Sequence, residues 1–234
     1  MKPEVLRDVP LGLDRQALLE RLRILPGSDD ARAFGALLDA ALEVARPKAV
    51  YKESYVEARG DETVTVDGVT FTSRALRANL EGVHRVFPYV ATCGREVDAA
   101  GRGLEDFLQQ YWLDTIKADL LGASLRRLGG HLERRFGLGR TSTMSPGAGD
   151  VAVWPIEEQG RLFSLFGDVE DLIGVELTDS FLMIPIKTVS GIRFPTEIEF
   201  QSCQLCRREG CPSRRAAFDP ALWKSVQGGS ESGA

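Results

Sequence analysis

The segment "ETVTVDGVTFTS", residues 62–73, constrains the fold of this chain more than any other stretch. Its apolar residues alternate with polar ones on either side of Asp67-Gly68, a dipeptide typical of two-residue hairpin turns. A two-residue turn joins only antiparallel strands. Segments with helical periodicity lie on both sides of this hairpin, without a regular strand–helix–strand alternation. The pattern predicts an α+β domain whose antiparallel sheet is flanked by helices.

Helical spacing of apolar residues predicts helices over 14–25 and 29–45 and a long helical stretch over 96–136. Ser28 or Asp29 is a suitable cap for the second helix, and Ser73 for a short helix over 73–82. Pro155 is expected to open a further helix. Buried or alternating runs predict strands at 86–94, 180–186 and 191–201, whereas residues 140–155 are expected to form a loop.

Composition narrows the classes of function. The chain has 234 residues, 43% hydrophobic and 27% charged, with a net charge of −5. An acidic chain of this kind is not expected to bind nucleic acid. It has neither a long apolar run nor an apolar signal core at its N-terminus, so we expect no membrane span and no export. These features favour a cytoplasmic protein with reduced thiols.

Two segments are candidates for ligand binding. The loop "SPGAGD", residues 145–150, is rich in glycine, which lets the backbone approach a ligand closely. It has neither the P-loop nor the dinucleotide-binding spacing, so its residues taken alone favour an ordinary connecting turn. The stretch "ELTDSFLMIPIKTVSG", residues 176–191, combines hydroxyl groups with an apolar run. From its residues alone, a strand–turn–strand unit is an equally good interpretation.

Together, "SPGAGDVAVWPIEEQ" and "IGVELTDSFLMIPIKTVSG" resemble the activation domain of vitamin B12-dependent methionine synthase, especially its short stand-alone members. The preceding "YVATCGREVD" and "YWLDTIKADLLGASLRRL" are similar to a strand and a long helix of that family. The resemblance spans roughly residues 85–195, and it implies a C-shaped domain built on a twisted antiparallel sheet.

The resemblance also implies a function. Members of the family act on a cobalamin-binding methyltransferase or corrinoid protein whose cofactor has fallen into the inactive cob(II)alamin state. An electron donor such as a ferredoxin or flavodoxin reduces the cofactor, and S-adenosylmethionine methylates it. The corrinoid carries the difficult chemistry, and the domain supplies the methyl donor and the geometry.

The resemblance implies a binding site for S-adenosylmethionine at two places in this sequence. The family pattern R-x-x-P-G-Y corresponds to residues 143–148, where Pro146 and Gly147 match it, while Thr143 and Ala148 replace the arginine and the tyrosine. The residues expected to bind the cofactor are Met144, Ser145, Pro146, Gly147, Ala148, Lys187, Ser190 and Gly191.

Cysteines form a second candidate site. Cys203, Cys206 and Cys211 stand in "CQLCRREGC", and Cys93 is the only other cysteine. Structural zinc sites and iron–sulfur clusters usually take four ligands, so Cys93 is expected to complete a site with the other three. Nearby arginines favour thiolate ligands. Zinc, an iron–sulfur cluster acting as electron relay, and free thiols or a transient Cys203–Cys206 disulfide all remain open.

The first functional hypothesis is therefore an accessory protein for the reductive activation of a cobalamin-dependent methyltransferase. The alternative is a non-catalytic module that docks on a cobalamin-binding partner, with a structural metal site and without S-adenosylmethionine. A methyltransferase for another small substrate has the weakest basis, because the sequence offers no general base. The expected organisation is one domain over 1–201, a cysteine-rich knuckle over 202–225 and a disordered tail over 226–234.

Overall fold

The computed structural model describes residues 1–150, 153–197, 200–211 and 214–227. The strands are β1 Glu4–Leu6, β2 Lys48–Tyr51, β3 Ser54–Arg59, β4 Thr63–Val66, β5 Val69–Thr72, β6 Arg85–Thr92, β7 Thr141–Met144, β8 Glu176–Leu177, β9 Met183–Ile184 and β10 Thr188–Pro195. The α-helices are α1 Arg15–Leu22, α2 Asp29–Val44, α3 Arg74–Asn79, α4 Phe107–Phe136, α5 Glu158–Ser164, α6 Val169–Ile173 and α7 Pro220–Gln227. Two 3-10 segments span Arg95–Gly101 and Ser202–Leu205.

Strand β6 lies at the centre of the main sheet. It pairs with β10 along one edge and with β2 and β3 along the other, and β10 in turn pairs with β7. Beyond these, β1 pairs with β2, and β4 lies between β3 and β5. Each of these pairings is antiparallel, so the predicted α+β class with an antiparallel sheet is confirmed.

The hairpin predicted around Asp67-Gly68 is formed by β4 and β5. Val66 pairs with Val69 across the turn, and Asp67 and Gly68 have φ angles of 46° and 80°. Positive φ at both turn positions matches the right-handed twist of the flanking strands. The inward side chains of Val64, Val66 and Phe71 are fully buried, which fixes the register of the hairpin.

Helix α4 packs on one face of the sheet, and α1 and α2 pack against α4. The side chains of Asp14 and Ser28 cap α1 and α2 by accepting backbone N–H groups. The long helical stretch expected over 96–136 is divided into the 3-10 segment Arg95–Gly101 and α4. Gly103 adopts a φ of 80°, and Asp106 accepts the Leu108 N–H at 2.8 Å to start α4 anew.

The opposite face of the sheet packs against α3, α5 and α6. The core there includes Trp154, Phe71 and Phe194, all fully buried. Leu205 and Val226 belong to the same core cluster, so the C-terminal segment packs on the domain. The division at residue 201 stays a prediction. Of the expected tail, Val226 lies in α7, and residues 228–234 lie outside the described ranges.

Three further sequence expectations change. Residues 141–144, expected in a loop, form β7, because the edge of β10 offers them backbone partners. The strand expected over 180–186 shortens to β9, which pairs with β8. The strand expected over 191–201 is β10, which begins at Thr188; positions 198 and 199 lie outside the described residues.

In the ranges described, no helix has the length and apolarity needed to span a membrane.

Candidate functional site

The glycine-rich loop follows directly on β7. Gly147 and Gly149 have φ angles of 71° and 89°, a region that side chains other than glycine rarely enter. The Gly147 N–H donates to the Trp154 carbonyl oxygen at 2.8 Å, and the Ala148 N–H donates to the Ser145 carbonyl oxygen at 3.2 Å. Pro146 is buried. The hydrogen bonds of the Gly147 and Ala148 N–H groups hold the loop in one conformation.

Gly191 of β10 lies directly against this loop. A Cβ atom at position 191 would stand 2.4 Å from the Met144 carbonyl oxygen and 2.7 Å from the Ser145 Oγ. Two backbones can approach this closely only where the side chain is absent. The structure therefore brings together three of the residues expected to bind the cofactor, although they are separated by more than 40 positions in the sequence.

Two of the expected residues are engaged elsewhere. Ser190 is buried on the other face of the sheet, where its Oγ accepts a hydrogen bond of 2.6 Å from Gln159 Nε2. The Lys187 ammonium forms an ion pair of 2.9 Å with Asp114 of α4. Ser190 supports the packing of α5, and Lys187 joins the segment before β10 to α4.

Tyr89 of β6, opposite Gly191, was not foreseen from the sequence. It is nearly fully buried, and burial raises the pKa of its phenol, while Arg193 and side-chain hydrogen bonds with Ser145 and Thr143 act in the opposite direction. The sequence signal was weak, because "VFPYVAT" reads as an ordinary buried strand. Only the pairing of β6 with β10 places this phenol beside the loop.

Residues 202–211, which we call the cysteine segment, pack against the same loop. A Cβ atom on Gly149 would lie 3.4 Å from the Ser202 carbonyl oxygen and 3.6 Å from the Cys206 Cβ. Arg207 forms an ion pair of 3.1 Å with Asp150, and its guanidinium stacks on the Trp223 ring at 4.7 Å. The cysteine segment thus supports the loop on the side of Gly149 and Asp150.

Arg214 organises the cysteine segment. Its guanidinium donates to the carbonyl oxygens of Cys203 and Cys206, at 3.2 and 3.1 Å, and to that of Arg208. The Arg215 N–H lies 3.4 Å from the Cys203 Sγ. A guanidinium with several donors can satisfy carbonyl groups that have no partner in a helix or sheet.

Cys93 lies apart from the other three cysteines. It is fully buried in the core cluster formed by α1, α2 and α4, and burial raises the pKa of its thiol to about 12. Leu205, within the cysteine segment, belongs to the other core cluster. Among the described residues, no three Cys, His, Asp or Glu side chains are grouped as a metal ion requires. The structure therefore gives no support to a four-cysteine zinc or iron–sulfur centre, and the assignment of Cys93 as its fourth ligand stays a prediction.

An exposed apolar surface lies at the other end of β10. The side chains of Leu182, Ile184 and Ile186 are exposed to 61, 40 and 84%. They belong to the arm, which we define as residues 176–187, containing β8 and β9. Tyr111, also exposed, lies one helical turn before Asp114, the partner of Lys187. A cluster of exposed apolar side chains, such as those of the arm and Tyr111, is typical of interaction surfaces.

A separate cleft of about 1120 Å³ lies between α3, the end of β10 and α7. Its lining includes His84, Arg140, Glu197 and Asp219. None of the residues expected to bind a cofactor or a metal contributes to it. The cleft was not foreseen because its walls come from four distant parts of the sequence.

Comparison with known proteins gives a fold-level match. No protein-family model matches the sequence, and no curated protein matches it. Among solved structures, the chain is similar to a crystal structure of the MetH reactivation domain bound to AdoHcy, with a TM-score of 0.58 and 16% sequence identity. The match covers 86% of this chain and 81% of that one. At this identity the similarity shows a shared fold, and it confirms the fold implied by the sequence resemblance.

Proposed function

We propose that this protein takes part in the reductive reactivation of a cobalamin-dependent methyltransferase such as methionine synthase, and that it binds S-adenosylmethionine at the loop over 144–148 and Gly191. The observation that carries the proposal is the fold shared with a reactivation domain bound to AdoHcy, over most of both chains. The matching motifs of the sequence fall on the two segments that meet at this loop.

The geometry of the loop fits such a ligand. Gly147 and Gly149 at positive φ give the loop a backbone conformation that other residues rarely adopt, and the absence of a side chain at Gly191 lets β10 approach the Met144 carbonyl oxygen and the Ser145 Oγ. When bound, S-adenosylmethionine would supply the methyl group. The chain's own part is to hold and orient that ligand. The electron would come from a separate donor, for which a ferredoxin or flavodoxin is suitable.

In this proposal the cysteine segment supports the loop, and no step passes through an iron–sulfur cluster or a zinc ion. Gly149 packs on Cys206, and Asp150 pairs with Arg207. Both contacts fix the far side of the loop. The segment therefore contributes to the shape of the ligand site rather than to electron transfer.

Calorimetric titration with S-adenosylmethionine and with AdoHcy tests the ligand. We expect the wild-type protein to bind both. Gly147→Ala should weaken the binding of AdoHcy at least about tenfold, because an alanine at a φ of 71° costs about 1–2 kcal/mol. Its Cβ would also lie 3.0 Å from the Ile156 Cβ. Gly12→Ala is the matched control, because Gly12 is exposed and a Cβ there meets nothing within 4 Å. Absence of binding heat in the wild-type protein contradicts the proposal.

A second candidate function is docking on a cobalamin-binding partner without a methyl donor. The exposed apolar side chains of the arm favour it, as do Thr143 and Ala148 in place of the arginine and tyrosine of the family pattern. In this case the protein positions its partner by surface contact alone.

The docking function is tested with the purified cobalamin-binding module of a methionine synthase. Replacing both Leu182 and Ile186 by aspartate is expected to weaken association at least about tenfold, because it places two charges in an apolar contact. Leu25→Asp is the control, since Leu25 is 75% exposed and lies outside the arm. Equal binding by both variants rules out the arm as the docking surface. A protein that binds the module but not AdoHcy supports docking alone.

A further inference from the structure

Arg193 lies beside the glycine-rich loop, on the sheet face that carries Tyr89. It is directly opposite Thr143 in the pairing of β10 with β7. Opposed residues of antiparallel strands point to the same face. Tyr89 is opposite Gly191, two positions before Arg193 on β10, so its phenol points to the same face as the side chains of Arg193 and Thr143.

The guanidinium of Arg193 has an unused donor. Its Nε is buried and has no hydrogen-bond partner in the described part of the chain. No carboxylate within the described ranges forms an ion pair with Arg193 or with Arg215, the other cation that acts on Tyr89. A buried donor without a partner is unfavourable, and a bound anion would satisfy it.

Helix α4 leaves space for this side chain. A Cβ atom on Gly129 would lie 3.0 Å from the Arg193 Nη1. A glycine within a helix costs about 1 kcal/mol relative to alanine. At Gly129 this cost has a local explanation, because the Cβ of an alanine would make a tight contact with the Arg193 guanidinium, which would have to shift by a few tenths of an ångström.

We propose that Arg193, with the hydroxyl groups of Tyr89, Thr143 and Ser145, forms a carboxylate-binding subsite for the amino-acid end of an S-adenosyl ligand. The inference rests on the proposed function, and it names the part of the ligand that this face recognises. A guanidinium presents parallel N–H donors that match the two oxygens of a carboxylate. The hydroxyl groups add donors, and in the described ranges no carboxylate forms an ion pair with Arg193 that would compete with the ligand.

The test compares two ligands that differ in the carboxylate. AdoHcy carries it, and 5′-methylthioadenosine keeps the nucleoside and the sulfur but lacks the amino-acid end. Arg193→Met retains most of the apolar part of the side chain and removes the guanidinium group. We expect this variant to bind AdoHcy about 10- to 100-fold more weakly, and 5′-methylthioadenosine less than about threefold more weakly, than the wild-type protein. Arg193→Lys should recover part of the loss, and Arg134→Met, an exposed position on α4, should change neither affinity.

The outcomes separate this inference from the proposed function. If Arg193→Met weakens both ligands equally, the arginine acts through the fold and the subsite is refuted. Unchanged affinity for AdoHcy in this variant refutes it as well, while leaving the proposed function intact. If the wild-type protein binds neither ligand, the proposed function fails and the inference falls with it.

Discussion

Replacing Trp154 by alanine is expected to lower the free energy of unfolding by about 3–5 kcal/mol. Trp154 is fully buried, and its ring contacts Phe71 edge-to-face at a centroid distance of 5.7 Å. Truncation removes this contact and leaves a cavity in the core that joins the hairpin to the segment after the ligand loop. Denaturation in urea, followed by circular dichroism, measures the loss without relying on tryptophan fluorescence.

Trp154→Phe is the matched control. The indole Nε1 of Trp154 is buried without a hydrogen-bond partner in the described structure, so phenylalanine removes a donor that has no partner. It also keeps an aromatic ring next to Phe71. We expect a loss below about 1.5 kcal/mol. A loss of the same size in both variants would show that the shape of the indole, rather than the filled volume, determines stability here.

The second large effect is expected for Gly191→Ala. The added Cβ would lie 2.4 Å from the Met144 carbonyl oxygen, and β10 is held between β6 and β7, so the strand cannot shift freely. Overpacking of this kind costs about 1–3 kcal/mol. Because the contact is with the loop itself, affinity for AdoHcy should fall as well, at least about tenfold.

Gly139→Ala serves as the control for this change. Gly139 is exposed, and a Cβ there would meet nothing within 4 Å. Its effect on the free energy of unfolding should stay within about 0.5 kcal/mol. If Gly191→Ala is equally harmless in both measurements, the close approach of β10 to the loop is not needed for either stability or binding.

Features that depend on neighbouring residues were predictable from the sequence. The turn at Asp67-Gly68 and the caps at Ser28 and Ser73 involve contacts over a few positions, and the structure has all of them. The meeting of the loop with Gly191 was implied by the resemblance of both segments to one family. Its physical basis, a backbone contact that excludes a Cβ, appears only in the structure.

Features that depend on distant pairing were not predictable in this way. Strand β7 is short and polar, and it exists because β10, more than 40 residues later, offers it an edge. The spacing of Cys203, Cys206 and Cys211 is local, whereas the position of Cys93 depends on how the sheet separates two cores. Arg193 reads as an ordinary outward strand residue until its register with Thr143 is known.

The contact of Gly149 with Ser202 and Cys206 has a consequence for the order of folding during synthesis. The glycine-rich loop is made about fifty residues before the segment that supports it. At about 5–20 residues per second, the ribosome takes several seconds to cover that distance. The loop therefore leaves the ribosome before the cysteine segment has been synthesised. A ligand bound to the loop can stabilise only the last stage of folding, after the cysteine segment has docked.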